Sequence, residues 1–135
     1  MTCENNKPTL KLIDFGFSTF FNKGQKIHGE MGTPGFYAPE LLAHLGYDEK
    51  IDIWSCGVVL FMLASGVEPF RSNSRTPLNE QTLKKNIEFN LIKDPNIRQL
   101  CQKMLERNPE RRFNAEQALQ FAMGIVGNSR NNFAN

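Results

Sequence analysis

The sequence predicts a mainly α-helical unit preceded by a short N-terminal β hairpin or strand pair. Three observations carry that expectation. From Pro39 onward, apolar stretches alternate with stop signals at Gly46, Gly66 and Asn108-Pro109. Residues Ile53 to Leu63 are apolar on nearly every helical face, which belongs at the centre of a helical core. Ahead of them, Leu10, Leu12 and Ile13 around Lys11 read as a short strand, with Phe17–Phe21 as a second.

The 135 residues suffice for one compact unit with a modest core. A hydrophobic content of 40% with eleven Phe argues against disorder. Sixteen basic against fourteen acidic side chains leave +2, too weak a bias to imply nucleic acid or a membrane surface as partner. Cys3, Cys56 and Cys101 are odd in number and far apart, forming neither a disulfide framework nor a metal cluster. A reducing compartment, cytoplasmic or otherwise intracellular, is therefore expected. The first residues are polar and show no secretory signal. The run Ile53–Ala64, interrupted by Ser55 and Gly57, is too short to span a bilayer.

In chain order, Asn5-Asn6 is a turn candidate and Gly16 permits a change of direction after the first strand. Asn22–Gly35 is a long loop of the kind that carries function in a compact domain. Pro39 opens a short helix through Leu45. Asp52 sits near the start of the next, where its carboxylate can accept orphan backbone N–H groups. Arg71–Pro77 reads as a polar loop. Helices follow over Leu78–Ile87, Asn96–Glu106 and Asn114–Met123, and the Asn-rich residues 125–135 are expected to form a flexible tail. Trp54, Met62 and Cys56 read as core-filling side chains. Lys84, Lys85 and Arg111 read as solvated helix faces.

Two segments carry chemistry. Asp14-Phe15-Gly16 puts a carboxylate at a strand end, and magnesium, a hard cation, rides on one or two carboxylates plus substrate phosphates. By itself the tripeptide reads first as an ordinary turn after a strand. Seventeen residues lie between Asp14 and the segment Gly32-Thr33-Pro34-Gly35-Phe36-Tyr37-Ala38-Pro39-Glu40. With Asp52-Ile53-Trp54-Ser55-Cys56-Gly57-Val58, Gly66-Val67-Glu68-Pro69-Phe70 and Asn108-Pro109-Glu110-Arg111-Arg112-Phe113, these motifs stand in one order over Leu10–Leu119.

That series resembles the C-terminal lobe of a eukaryotic serine/threonine protein kinase. The weaker similarity, carried by Asp-Phe-Gly-Phe-Ser-Thr and Arg-Phe-Asn-Ala-Glu-Gln-Ala-Leu, is to calcium/calmodulin-type or calcium-dependent kinases. The resemblance implies that Asp14 is the metal- and cofactor-binding residue, chelating Mg²⁺ on the phosphates of ATP. It implies that Thr33 has a supporting catalytic role, its hydroxyl bonded to the catalytic base, and that Gly-Thr-Pro marks serine/threonine specificity. Capping of a local turn is the alternative for Thr33. Met31 and Phe36 would help line a peptide pocket. Asp52 would steady a catalytic loop, and Glu40 would pair with Arg112. No hydroxyl lies between Thr19 and Thr33, so Glu30 is either a permanent carboxylate in place of a phosphate or a solvated charge. His28 has no ligand partners in spacing.

The resemblance also marks departures. The connection after Phe89 is short, and no His-Pro-Trp follows Ala118-Leu119. A glycine-rich loop, a phosphate-binding Lys with its Glu, and a His-Arg-Asp loop are not found in these residues. The expected organisation is therefore a partial kinase domain over residues 1–124, with an activation segment over 14–40, a helical core over 41–124 and the N-terminal lobe absent. The complete form would transfer the ATP γ-phosphoryl group to a protein Ser/Thr hydroxyl, using ATP and Mg²⁺. These residues alone are expected to hold neither stably and to be inactive. Expected partners are a protein or peptide substrate and the missing lobe. The alternative is a non-catalytic kinase-like binding or regulatory module.

Overall fold

The computed structural model describes residues 2–4, 7–71 and 74–132, with side-chain surroundings for 10–71 and 74–127. The fold is mainly α-helical: α1 (Pro39–Leu42), α2 (Lys50–Ser65), α3 (Leu78–Lys84), α4 (Pro95–Met104) and α5 (Ala115–Asn132). A 3₁₀ turn, Phe89–Leu91, precedes α4. Extended pairing consists, among the described residues, of β1 (Thr2–Glu4) and β2 (Lys7–Thr9), antiparallel with Thr2 opposite Thr9, and of an isolated bridge between Ile27 and Tyr47. The Asn5-Asn6 turn and the last three residues of the tail lie outside the described residues, as do positions 72 and 73 of the polar loop.

The strands expected over Leu10–Ile13 and Phe17–Phe21 do not form. Both stretches are irregular, and Leu10, Leu12, Ile13, Phe17 and Phe20 are exposed. A strand needs a partner for its backbone groups and a face to bury, and these stretches find neither among the described residues.

The core is built on α2. Trp54, Val58 and Phe61 are buried with Phe70, Ile92, Cys101 and Leu105. Ile53, Leu100 and Met104 form a second cluster, packed by Phe113 and Phe121. The expectation that α2 is covered all round is corrected by the opposite face. Asp52, Cys56, Val59 and Leu63, three and four residues apart, lie on one exposed side. Cys56 is thus exposed rather than a core filler, although partial burial, with Asp52 nearby, still raises its thiol pKa. Cys101, wholly buried, is pushed up to about 12 by burial.

Helix ends follow local chemistry. Gly66 closes α2 with φ of 76°, its N–H returning to Met62 O at 2.9 Å. Asp94 caps α4 by accepting from the amides of Asn96 and Ile97 at 2.8 and 2.9 Å. Asn114 and Gln117 exchange reciprocal backbone–side-chain bonds at the start of α5, a capping box that the sequence displays as Asn-x-x-Gln. At α2 the cap is Asp48, whose Oδ1 accepts from Lys50 N at 3.1 Å, and not Asp52. Helix α1 is a single turn ending before Leu45, α3 stops at Lys84, and α5 continues past Gly124 to Asn132.

Gly57 sets how closely α2 and α4 approach. A Cβ there would lie 3.0 Å from Leu105 Cγ and Cδ2 and from Met104 Cβ. Cys101 Sγ also points at Gly57 O, 3.6 Å away. Gly57→Ala gains about 1 kcal/mol of helix propensity but meets an overpacking cost of about 1–3 kcal/mol. The rigid Met104 Cβ cannot swing aside, so net destabilisation is expected. A urea midpoint equal to or above that of the parent would show that the two helices can separate without cost.

Candidate functional site

Segment 14–40 and the first turns of α2 line an open cavity of about 460 Å³. Asp14, Met31, Thr33, Phe36, Asp52 and Ser55 all contribute to its walls. The two residues singled out from the sequence, Asp14 and Thr33, are therefore on one cavity although nineteen positions separate them.

Gly16 and Phe17 form the centre of a turn closed by Ser18 N donating to Phe15 O at 3.0 Å, and Asp14 ahead of it has φ of 63°. Asp tolerates that left-handed conformation because its short side chain can bond locally. Here Asp14 Oδ1 accepts from Gly16 N at 3.2 Å. Phe15 is 68% exposed, and its carbonyl accepts from Ser18 Oγ at 2.7 Å. Among the described residues no three His, Cys, Asp or Glu side chains form a cation-holding group. One carboxylate at a cavity wall fits a shared magnesium site, in which phosphate, water and other groups supply the remaining oxygens, better than a self-contained cage.

Thr33 is exposed, and its carbonyl rather than its hydroxyl closes the local turn, accepting from Phe36 N at 3.1 Å. No hydrogen bond to the Thr33 hydroxyl exists among the described residues, so the turn-capping alternative has no bond behind it. Gly32 adopts φ of 126°, and a Cβ there would meet Tyr37 Cε1 at 3.2 Å. Tyr37 OH in turn donates to Gly32 O at 2.9 Å. Ser55 Oγ donates to Phe36 O at 3.0 Å, tying this loop to α2. Asp52, facing the cavity with no hydrogen-bond partner for its carboxylate among the described residues, has its pKa raised by burial. A carboxylate so placed is ready to accept donors from a further segment.

The anchor of the segment is the pair Glu40–Arg112. The guanidinium grips the carboxylate through two bonds, NH1 to Oε1 at 2.5 Å and NH2 to Oε2 at 2.8 Å. Neither residue is exposed by more than 6%. Arg112 also donates to the carbonyls of Glu106, Lys50 and Arg107, and its Cζ lies 5.1 Å above the Trp54 ring. All its donor directions are used, which is what a buried charge requires.

Nearer the loop's middle, Ile27 and Tyr47 form an isolated antiparallel bridge. Lys26 Nζ bonds Asp48 Oδ2 at 2.9 Å, and Glu30 lies 3.4 Å from His44 Nε2. Burial pushes Asp48 upward, but bonds from Lys26 and the Lys50 amide outweigh it and hold its pKa below the ordinary value. Glu30 thus lies beside an imidazole while 45% of its side chain stays exposed. Lys85, expected on a solvated face, sends Nζ to Pro69 O at 2.9 Å. Sequence reasoning missed the Asp48 cap and the Lys26–Asp48 pair, which only the facing of two loops creates.

Residues 1–122 match the family model described as the protein kinase domain, and the chain belongs to that family. It is 41% identical over 114 residues to calcium-dependent protein kinase 11 of Oryza sativa subsp. japonica, covering 82% of this chain and 20% of that protein. To calcium-dependent protein kinase 13 of Arabidopsis thaliana it is 41% identical over 121 residues, covering 87% and 22%. To the liver/testis phosphorylase b kinase gamma catalytic chain of Mus musculus it is 36% identical over 126 residues, covering 82% and 30%. The chain spans between a fifth and a third of these relatives. Among the described residues no helix is long and apolar enough to cross a membrane.

Proposed function

We propose that these residues are the activation segment and helical C-terminal lobe of a serine/threonine protein kinase. The complete enzyme transfers the γ-phosphoryl group of ATP to a protein Ser or Thr hydroxyl. The observation that carries the reading is the buried Glu40–Arg112 fork, which ties segment 14–40 to the α4–α5 connection against Lys50 and Trp54 of α2, while Asp14 and Thr33 share one cavity. Magnesium, held in part by Asp14, would neutralise charge developing on the transferred phosphoryl group. Thr33 would position the base that takes the hydroxyl proton, its own hydroxyl being uncommitted. Met31 and Phe36 offer the peptide an apolar wall beside it. The calcium-dependent relatives favour membership of that subfamily. ATP is not expected to be held by Asp14 alone, so the 135 residues by themselves are expected to transfer no phosphate.

A non-catalytic docking role is favoured by one observation, the exposed apolar series Leu10, Leu12, Ile13, Phe15, Phe17 and Phe20. Grafting residues 10–122 in place of the matching segment of the rice calcium-dependent kinase separates the two readings. Serine/threonine transfer by the chimera, abolished by Asp14→Asn and reduced about 10²-fold or more by Thr33→Ala, is the expected result. A folded chimera that binds substrate peptide but transfers nothing would favour docking.

A further inference from the structure

The contacts between residues 26–30 and 44–48 follow one rule. Lys26 bonds Asp48, Ile27 pairs with Tyr47, the His28 ring lies against Gly46, and Glu30 faces His44. Each step forward on one segment is a step back on the other, which is the register of an antiparallel ladder. We infer that these two segments form a clasp that holds the loop ahead of Thr33 in one register by unmodified side chains, with no phosphate required. The inference rests on the reading of that loop as the peptide-receiving one only for its consequence, not for its existence.

The backbone carries the ladder at a single position. Ile27 N donates to Tyr47 O at 2.8 Å, and Tyr47 N donates to Ile27 O at 3.0 Å. Beyond it, His44 and Gly46 both have positive φ, 54° and 75°, so the second segment leaves the extended conformation and backbone bonds cannot propagate. Side chains continue the register instead. Gly46 is required twice, because a Cβ there would also sit 2.8 Å from His28 Cε1 and 3.1 Å from Lys26 Cβ. At the inner end Asp48 links the clasp to the start of α2, since its other oxygen accepts from Lys50 N. Tyr47 is 5% exposed and roots the bridge in the protein. The outer end is looser, with the His44 and Glu30 side chains 72% and 45% exposed.

Residues 20–32 contain no Ser, Thr or Tyr, so hydroxyl phosphorylation cannot order that stretch from within. The Lys26–Asp48 pair at the inner end does so instead, with Glu30 facing His44 at the outer end.

Amide hydrogen exchange on the 135-residue chain tests the clasp. The Ile27 and Tyr47 amides are expected to be protected, unlike those of the surrounding loop. Lys26→Met should speed their exchange about two- to fivefold, the effect of one partly exposed charge pair. Gly46→Ala should speed it about tenfold or more, because the variant adds backbone strain to the clash. The amides in the middle of α2 are expected to be unchanged in Lys26→Met. If Gly46→Ala unfolds the chain, so that α2 amides accelerate as well, Lys26→Met and Glu30→Gln decide the outcome. Unprotected Ile27 and Tyr47 amides in the parent, or the same exchange in parent and variants, would overturn the clasp. No phosphoryl transfer enters this readout, so the clasp and the kinase reading can fail separately.

Discussion

Arg112→Ala is expected to destabilise the chain by about 3–5 kcal/mol, because it strands the Glu40 carboxylate in a site from which water is excluded. Five partners are lost together: the carboxylate, the carbonyls of Glu106, Lys50 and Arg107, and the face of Trp54. Glu40→Gln should cost less. It removes one charge but leaves the guanidinium with its carbonyl acceptors and an amide oxygen in place of the carboxylate. Chemical denaturation of both variants, with Glu40→Ala and the double variant Glu40→Ala/Arg112→Ala completing a cycle with Arg112→Ala, measures the coupling. A loss of under about 1 kcal/mol for Arg112→Ala, the range of an exposed pair, would show that the fork does not anchor segment 14–40.

Trp54→Ala is expected to cost a similar amount, about 3–5 kcal/mol, for a different reason. The ring is fully buried at the centre of the core, stacked on Phe70 at 6.1 Å with an interplanar angle of 7°. Its removal opens a cavity between α2 and the turn that follows it, and takes away the surface under Arg112. Trp54 Nε1 has no hydrogen-bond partner among the described residues, so Trp54→Phe gives up volume and no bond. It should therefore retain most of the stability. Equal losses for Phe and Ala would mean that indole shape, rather than buried apolar volume, governs the site. Because Trp54 and Arg112 touch, the two Ala substitutions should be less than additive.

The functional cavity is partly legible in the chain alone. Asp14, Thr33 and the Glu40–Arg112 pair stand out because residue type, spacing and order coincide. Chemistry at a fixed backbone position leaves that kind of trace. Asp48 leaves none. Its capping of α2 and its pair with Lys26 arise where two loops face each other, and its neighbours in sequence do not announce either. Cys56 shows the opposite failure. The apolar run predicts burial all round, yet Cys56, Val59 and Leu63 have no covering element among the described residues.

The sequence by itself determined the helical architecture, the stop at Gly66, the burial of Trp54 and the family. These follow from local propensity and from motifs that persist in order along the chain. Tertiary structure decided that Asp14 takes a left-handed conformation ahead of the Gly16 turn, that Leu10–Phe21 is not a strand pair, and which face of α2 is bare. It also decided that residues 26–30 close upon residues 44–48. The physical reason is common to all four. A backbone turn, a strand and a buried face are completed by whatever packs against them, and that partner is not encoded within the segment it completes.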